Sequence, residues 1–291
     1  MSVIMPLAKI LICLDTDPQP SVFDAVVAAD AGVDQLLRHG GVTASAVRDL
    51  VYGAMFTRAP GDLKNTAVFV GGSDVVAGDA LLAKVRECFF GPMRVSVMLD
   101  SNGANTTAAA AVRCTRSHVS LPETAVTVLA ATGSVGRRVV RLLAREAARV
   151  RVASRQWSRA QAVCDSVRAL VPEAELEPRE VRDENSLREA LADTAVVIAA
   201  GAPGIELLPE RLRAESRSLK VAIDLNAVPP TGIGGILPQD KAAERDGQVV
   251  YGAIGVGGTK MKLHKAAIRR LFEANDLVLD AEEIYALGEV L

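Results

Sequence analysis

The chain has 291 residues, 49% hydrophobic and 23% charged, with 33 basic against 35 acidic side chains and a formal charge of −2. That length provides for two domains of about 100–200 residues, or one large one, and so much apolar content excludes a disordered chain. The charge balance leaves no basic surplus for tracking nucleic-acid phosphates and no polyanionic tail.

Val3 to Leu14 is apolar, but it contains Lys9, lacks a basic flank and runs into Asp15 and Asp17. This reads as a first strand rather than a signal peptide. No stretch reaches the ~18 apolar residues of a membrane span. Cys13, Cys88, Cys114 and Cys164 are scattered, with no CxxC and no Cys/His cluster. Neither a metal site nor a redox pair is expected, and a cytoplasmic location follows.

The first third alternates strand-like and helix-like segments. Lys9–Leu14 is a short apolar run. Pro18-Gln19-Pro20-Ser21 then offers a break and an N-cap for a helix over Val22–Ala31. Thr66–Val70 reads as a buried strand closed by Gly71-Gly72. Asp79–Phe90 has helical spacing, with Leu81, Leu82, Val85 and Phe89 on one face. Arg94–Leu99 is a further strand, ending in the polar cluster Asp100-Ser101-Asn102-Gly103, and an Ala/Thr-rich helix follows over Thr106–Arg113. This alternation predicts a parallel sheet, whose ligands bind beyond the carboxyl ends of the strands.

Leu121-Pro122-Glu123 marks a boundary, after which comes the strongest local pattern. A strand over Ala125–Ala130 leads into the turn Ala131-Thr132-Gly133-Ser134-Val135-Gly136 and an amphipathic helix. That helix sets Val135, Val139, Leu142 and Leu143 on one face and Arg137, Arg138, Arg141 and Arg145 on the other. A strand over Arg149–Ala153 follows directly, with later ones at Thr194–Ala200 and Lys220–Asp224. This is the opening of a dinucleotide-binding fold. Ala131 stands where the first glycine of G-x-G-x-x-G is expected. Gly133 still allows a pyrophosphate to approach, Gly136 allows close helix packing, and the helix N-terminus offers unpaired N–H groups. Thr132, Gly133, Ser134, Val135 and Gly136, with Ala200 and Asn226 after later strands, are the expected cofactor contacts.

An NAD-specific site would place a carboxylate at the end of the second strand. The chain instead reads Ala153-Ser154-Arg155-Gln156-Trp157-Ser158-Arg159. Ser154, Arg155 and Arg159 suit a 2′-phosphate, so NADP is expected, with NAD possible. Gly257-Gly258-Thr259-Lys260 is no Walker A loop. His39, His118 and His264 stand in no nucleophile context, and His264 reads as structural.

Several segments resemble the bacterial methylene-tetrahydromethanopterin dehydrogenases. They are Asp15-Thr16-Asp17 with Pro20–Asp24, Phe89–Pro92, Met98–Thr107, Asp224–Ala227, Pro229–Gly235, Gly255–His264 and Asp280–Tyr285. The likeness is greatest to the NADP-dependent form from methylotrophs that also accepts methylene-tetrahydrofolate. It implies two α/β domains, the second a Rossmann-type doubly wound parallel sheet, with a C-terminal helix returning to the first. The expected division is residues 1–120 with 263–291 as the pterin-binding domain, and 121–262 as the NADP-binding domain. It also implies oxidation of the methylene group to methenyl, with NADP taking the hydride, and no obligatory metal.

The family's lysine in G-x-G-G-x-K falls on Lys260, the catalytic candidate. Hydride loss leaves a cation, and a charged lysine ~4 Å away would oppose it by about 4 kcal/mol at an effective dielectric of 20. Lys260 is therefore expected either to be neutral through desolvation or to direct its donors at a pterin oxygen away from the reacting carbon. Asp17, Asp100, Asn102 and Asn105 follow strands and are the substrate-binding candidates, each with an alternative as a turn or helix cap. Other expectations are a homo-oligomer and no nucleic-acid or membrane partner. Two competing functions stay open: an NADP-dependent reductase of another small substrate, and a non-catalytic NADP(H) sensor.

Overall fold

Short runs in which nearly every residue is apolar form strands covered on both faces. In the computed structural model, which describes residues 7–290, these become β1 (Ile10–Asp15), β3 (Thr66–Gly71) and β4 (Ser96–Leu99), with β2 (Gln35–His39) on an edge. The part of the Val3–Leu14 strand expectation that precedes Leu7 lies outside the described residues. Between the strands run α1 (Val22–Asp30), α2 (Val47–Met55) and α3 (Val75–Glu87), and α4 (Ala104–Arg116) follows β4. Ser21 caps α1 by accepting the Asp24 N–H, as its position predicts. The helix expected over Asp79–Phe90 begins earlier, because the Asp74 carboxylate accepts from Val76 and Ala77 and fixes the first turn there. β1 lies parallel between β2 and β3, and β4 lies parallel to β3. Val47, Val51 and Met55 of α2 and Leu81 and Val85 of α3 close the core over Val68, Val70, Val97 and Leu99.

The second sheet comprises β5 (Ala125–Leu129), β6 (Arg149–Ser154), β7 (Leu176–Glu180), β8 (Val196–Ala199), β9 (Val221–Asp224), β10 (Lys241–Arg245) and β11 (Gln248–Tyr251). Its order is β10-β11-β9-β8-β5-β6-β7, parallel throughout except for the β10–β11 hairpin. α5 (Ser134–Arg145), α6 (Trp157–Arg168), α7 (Glu184–Leu191) and α8 (Glu210–Glu215) connect the strands. The apolar face of α5 is buried as expected at Val139, Leu142 and Leu143. Its arginine face is not uniform: Arg137 and Arg145 are exposed, whereas Arg138 is only 8% exposed and donates to the Ser134 carbonyl.

The last elements are α9 (Ala253–Arg270), β12 (Val278–Leu279) and α10 (Ala281–Leu287). The C-terminal helix therefore begins ten residues before Leu263 and takes in the glycine-rich stretch. Its start is anchored by Ile254 and Gly255 N–H groups donating to the Pro238 carbonyl, at 2.8 and 3.2 Å. A Cβ at Gly255 would overlap the Asp240 carbonyl oxygen, so only glycine lets the helix begin there. β12 pairs in parallel with β4, completing a first sheet of order β12-β4-β3-β1-β2. The chain divides into one unit of residues up to Thr106 and from Met261 onward, and another of Thr107–Lys260. Among the described residues no helix is long and apolar enough to cross a membrane.

Asp240 holds the approach to α9. Its carboxylate accepts from the Leu237 N–H and from two nitrogens of Arg245, each at 2.8 Å. The Arg245 bonds hold the carboxyl below the usual aspartate range. A lowered native value stabilises the fold above the unfolded carboxyl range, and that contribution disappears as pH falls through the native value. Asp240→Asn is expected to lose about 2 kcal/mol at neutral pH. In urea titrations the gap from wild type should close in acid, below the ordinary aspartate value of about 3.9.

Candidate active site

In the second sheet, β5 is followed in sequence by β6 and β7 on one side and by β8, β9 and β11 on the other, so the chain order reverses between β5 and β8. Ligands of such sheets bind in the crevice at that reversal, beyond the carboxyl ends. The turn after β5 lies on one side of it. A Cβ at Gly136 would stand 2.8 Å from the Ala131 Cα and 2.9 Å from the Ala130 oxygen, so glycine is required for the helix to pack on the strand. A Cβ at Gly133 would meet only the Ala130 and Ala200 carbonyl oxygens, both at 3.7 Å. Packing does not demand glycine at 133, which leaves room for close approach by a ligand. Ser134 and Val135 open α5 there, and Ala200 follows β8 across the crevice, its N–H donating to the Leu129 carbonyl.

A cavity of about 220 Å³ adjoins this turn and is lined by Thr132, Ser154, Arg155, Gln156, Arg159 and Ile205, among others. Four expected cofactor contacts, Thr132, Ser154, Arg155 and Arg159, thus meet in one place. Arg155 and Arg159 are exposed, and the Ser154 hydroxyl accepts the Gln156 N–H at 3.3 Å. The lining fits a phosphorylated adenosine: apolar walls for a base, with two guanidiniums for its 2′-phosphate. Asn226 does not line this cavity. Its amide donates to the Pro230 carbonyl and accepts from Val228, which makes it a pin of the turn after β9 rather than an open contact. Beside it, burial pushes the Asp224 carboxyl up, while the Asn226 and Ile233 N–H groups donate to it.

One residue here escapes a local reading. Glu180 ends β7 opposite Ser154, accepts the Trp157 N–H at 3.1 Å and pairs with Arg182 at 2.9 Å. It places a carboxylate level with the end of β6, which carries none of its own, and at the first residue of α6. Only the parallel register of β6 and β7 could have revealed it.

In the first unit the expected substrate residues gather at the carboxyl edge of β1, β3 and β4. Buried Asp15 accepts from Asp17 and Ser21, and Asp17 accepts from the Ser73 N–H and hydroxyl at 2.9 and 2.8 Å. Asn102 is exposed, with a φ of 54°, and donates its N–H to Gly72. Of the two uses expected for Asp100 and Asn105, the structure shows the capping one, each being 1% exposed. Asp100 accepts from the Thr106 N–H and hydroxyl, and Asn105 donates to the Leu99 carbonyl and to Asp280. They build the edge, Asp100 capping the start of α4 and Asn105 tying it to Asp280 at the start of α10. Fully buried His264 lies 3.9 Å from Asp100 and 4.0 Å from Asp24, with its ring stacked on Phe69 at 5.8 Å. Lys260 is half-buried on α9, one helical turn before His264, inside a helix rather than beside a loop.

Residues 22–102 match the family described as methylene-tetrahydromethanopterin dehydrogenase, N-terminal. The bifunctional protein MdtA of Methylorubrum extorquens is 44% identical over 295 residues, covering 97% of this chain and 98% of that protein. The NAD(P)-dependent methylenetetrahydromethanopterin dehydrogenase of the same organism is 28% identical over 295 residues, covering 92% and 93%. Among solved structures, quinate dehydrogenase from Corynebacterium glutamicum in complex with NAD superposes with a TM-score of 0.55 at 15% identity, covering 98% of this chain and 99% of that one. Shikimate 5-dehydrogenase from Listeria monocytogenes gives 0.54 at 12% identity, covering 100% and 98%. These two likenesses bear on the fold alone, a two-sheet α/β architecture. The curated relative that matches almost end to end decides the rest: the chain belongs to the methylene-tetrahydromethanopterin dehydrogenase family.

Proposed function

We propose that this oxidoreductase transfers a hydride from the methylene group of methylene-tetrahydromethanopterin to NADP, with methylene-tetrahydrofolate as a second carrier. The observation that supports it most is the Arg155–Arg159 cavity at the reversal point of a Rossmann-type sheet, in a chain 44% identical along its length to a family member. In this reading residues 107–260 hold NADP and the first unit holds the pterin. NADP supplies the hydride acceptor when bound. The C–H bond breaks with both electrons leaving as hydride to the acceptor, and the positive charge is shared by the two nitrogens that flank the carbon, one in the pterin ring and one arylamine.

The protein's part is orientation and electrostatics. The first unit's edge carries Asp15, Asp17 and Asp100, carboxylates fixed by hydrogen bonds or burial before substrate arrives. Preorganised negative charge of this kind favours a developing cation without reorganisation. Asp17 and Asn102 are the side chains with surface to meet the pterin's amino-pyrimidine edge. Asp100 and Asn105 hold that edge in shape, and Lys260 is the proposed donor to a ring oxygen. A cytoplasmic, homo-oligomeric enzyme belongs to the same proposal, supported by four buried cysteines without disulfides and by the preference of such enzymes for symmetric assembly.

Deuterium at the methylene carbon tests the chemistry directly. It should appear in the reduced nucleotide, and its loss to water would refute direct transfer. For the cofactor, Arg155→Ala with Arg159→Ala should weaken NADP binding by about 10- to 100-fold, as expected for two charge-assisted contacts. NAD affinity should move by less than about twofold, since it lacks the phosphate. Equal losses for both nucleotides would remove the arginines from 2′-phosphate recognition.

A further inference from the structure

One carboxylate, Glu180, immediately precedes Val181 of the cavity lining in the second unit. Ser154 and Glu180 are paired in the parallel register, so Glu180 ends its strand level with the loop that carries Arg155. Its Oε1 accepts the N–H of Trp157, the first residue of the 12-residue α6. The next residue, Val181, lines the cavity together with Ser154, Arg155, Gln156 and Arg159. The positive end of α6 and its free N–H groups would otherwise reinforce the two guanidiniums in holding a phosphate. Glu180 takes one of those N–H groups and sets a negative charge beside them. Arg182, 2.9 Å from Glu180 but largely exposed to water, offsets that charge only in part.

We propose that Glu180 is a specificity-determining residue that weakens binding of the 2′-phosphorylated dinucleotide relative to the unphosphorylated one, with Arg182 setting how strongly. The inference rests on reading this cavity as the NADP site. It explains why a lining with two arginines and no carboxylate on its own strand need not be strict for NADP. A 2′-phosphate interacts with the Glu180 charge through space, whereas a 2′-hydroxyl is nearly indifferent to it.

The test is calorimetric titration of NADP and NAD into the wild-type protein, Glu180→Gln and Arg182→Gln, at about 50 and about 500 mM salt. Glu180→Gln should tighten NADP about three- to tenfold and leave NAD within about twofold. Arg182→Gln, which leaves Glu180 in place without its counter-charge, should weaken NADP about two- to fivefold. Both effects should shrink at the higher salt. An unchanged NADP-to-NAD ratio in Glu180→Gln overturns the inference. So does weakened NAD binding with NADP unmoved, which would make Glu180 an acceptor for a ribose hydroxyl. If Glu180→Gln loses both nucleotides through a disturbed α6, Arg182→Gln decides: weaker NADP with NAD intact supports the inference, and no change overturns it. A wild-type protein that binds neither nucleotide would overturn the reading of the cavity itself, and this inference with it.

Discussion

Gly255→Ala is expected to destabilise the protein by about 3–5 kcal/mol, enough to deplete the folded protein on expression. The added methyl would overlap the Asp240 carbonyl oxygen and lie 2.7 Å from its carbon and 3.2 Å from the Lys241 Cα. These are backbone atoms, so nothing flexible can yield. Relief requires moving the start of α9, which breaks the Gly252-to-Asp240 bond and the Ile254 and Gly255 bonds to Pro238. It also disturbs the chain that the Asp240–Arg245 pair fixes. Gly257 and Gly258 are the controls on the same helix, since an added Cβ there meets nothing within 4 Å beyond its chain neighbours and the surrounding helix backbone. Alanine at either should raise stability by about 0.5–1 kcal/mol through helix propensity. Urea denaturation of the three variants checks the contrast. A loss of activity in stable Gly257→Ala would assign that glycine to ligand approach.

Lys260→Ala is expected to lower kcat by about 100-fold or more, with the unfolding midpoint held and KM little changed. The size follows from losing a half-buried, charge-assisted donor that acts mainly as charge redistributes in the pterin. Because a nearby cation would oppose the charge created at the reacting carbon, the side chain must act at a distance from that carbon. Lys260→Arg should then fail to restore the rate, as a planar fork does not reproduce a compact ammonium. Unchanged kcat with altered stability would make Lys260 a structural residue of α9.

The parts of the molecule written in local patterns could be read from the sequence. The run from Ala125 to Ala153 carries its own strand, glycine turn and amphipathic helix, and each forms where the pattern puts it. Other parts depend on tertiary contacts. The start of α9 contains Gly255, Gly257 and Gly258, among the poorest helix formers, and it is helical because Pro238 and Asp240 anchor it. β2 lies on a sheet edge with no clean alternation of burial, so its residues carry no period-two signal. The β10–β11 hairpin turns at Asp246-Gly247, both at positive φ, a legible turn between strands too irregular to announce themselves.

At the site, the sequence indicated which side chains reach the sheet edges but not which way they point. Asp100 and Asn105 turn inward because the groups that bind ligands also cap helices, and position alone does not separate the two uses. Glu180 is the converse case. It lies 26 positions beyond Ser154, and only strand pairing brings the two level.

The central claim is the reaction, and one assay tests it most directly: absorbance at the NADPH band with the purified protein, NADP and methylene-tetrahydromethanopterin, then methylene-tetrahydrofolate. The account predicts NADPH formation dependent on the pterin, with the ratio of kcat/KM values ranking the two carriers. Silence with both carriers, from a protein that still binds NADP, would contradict it.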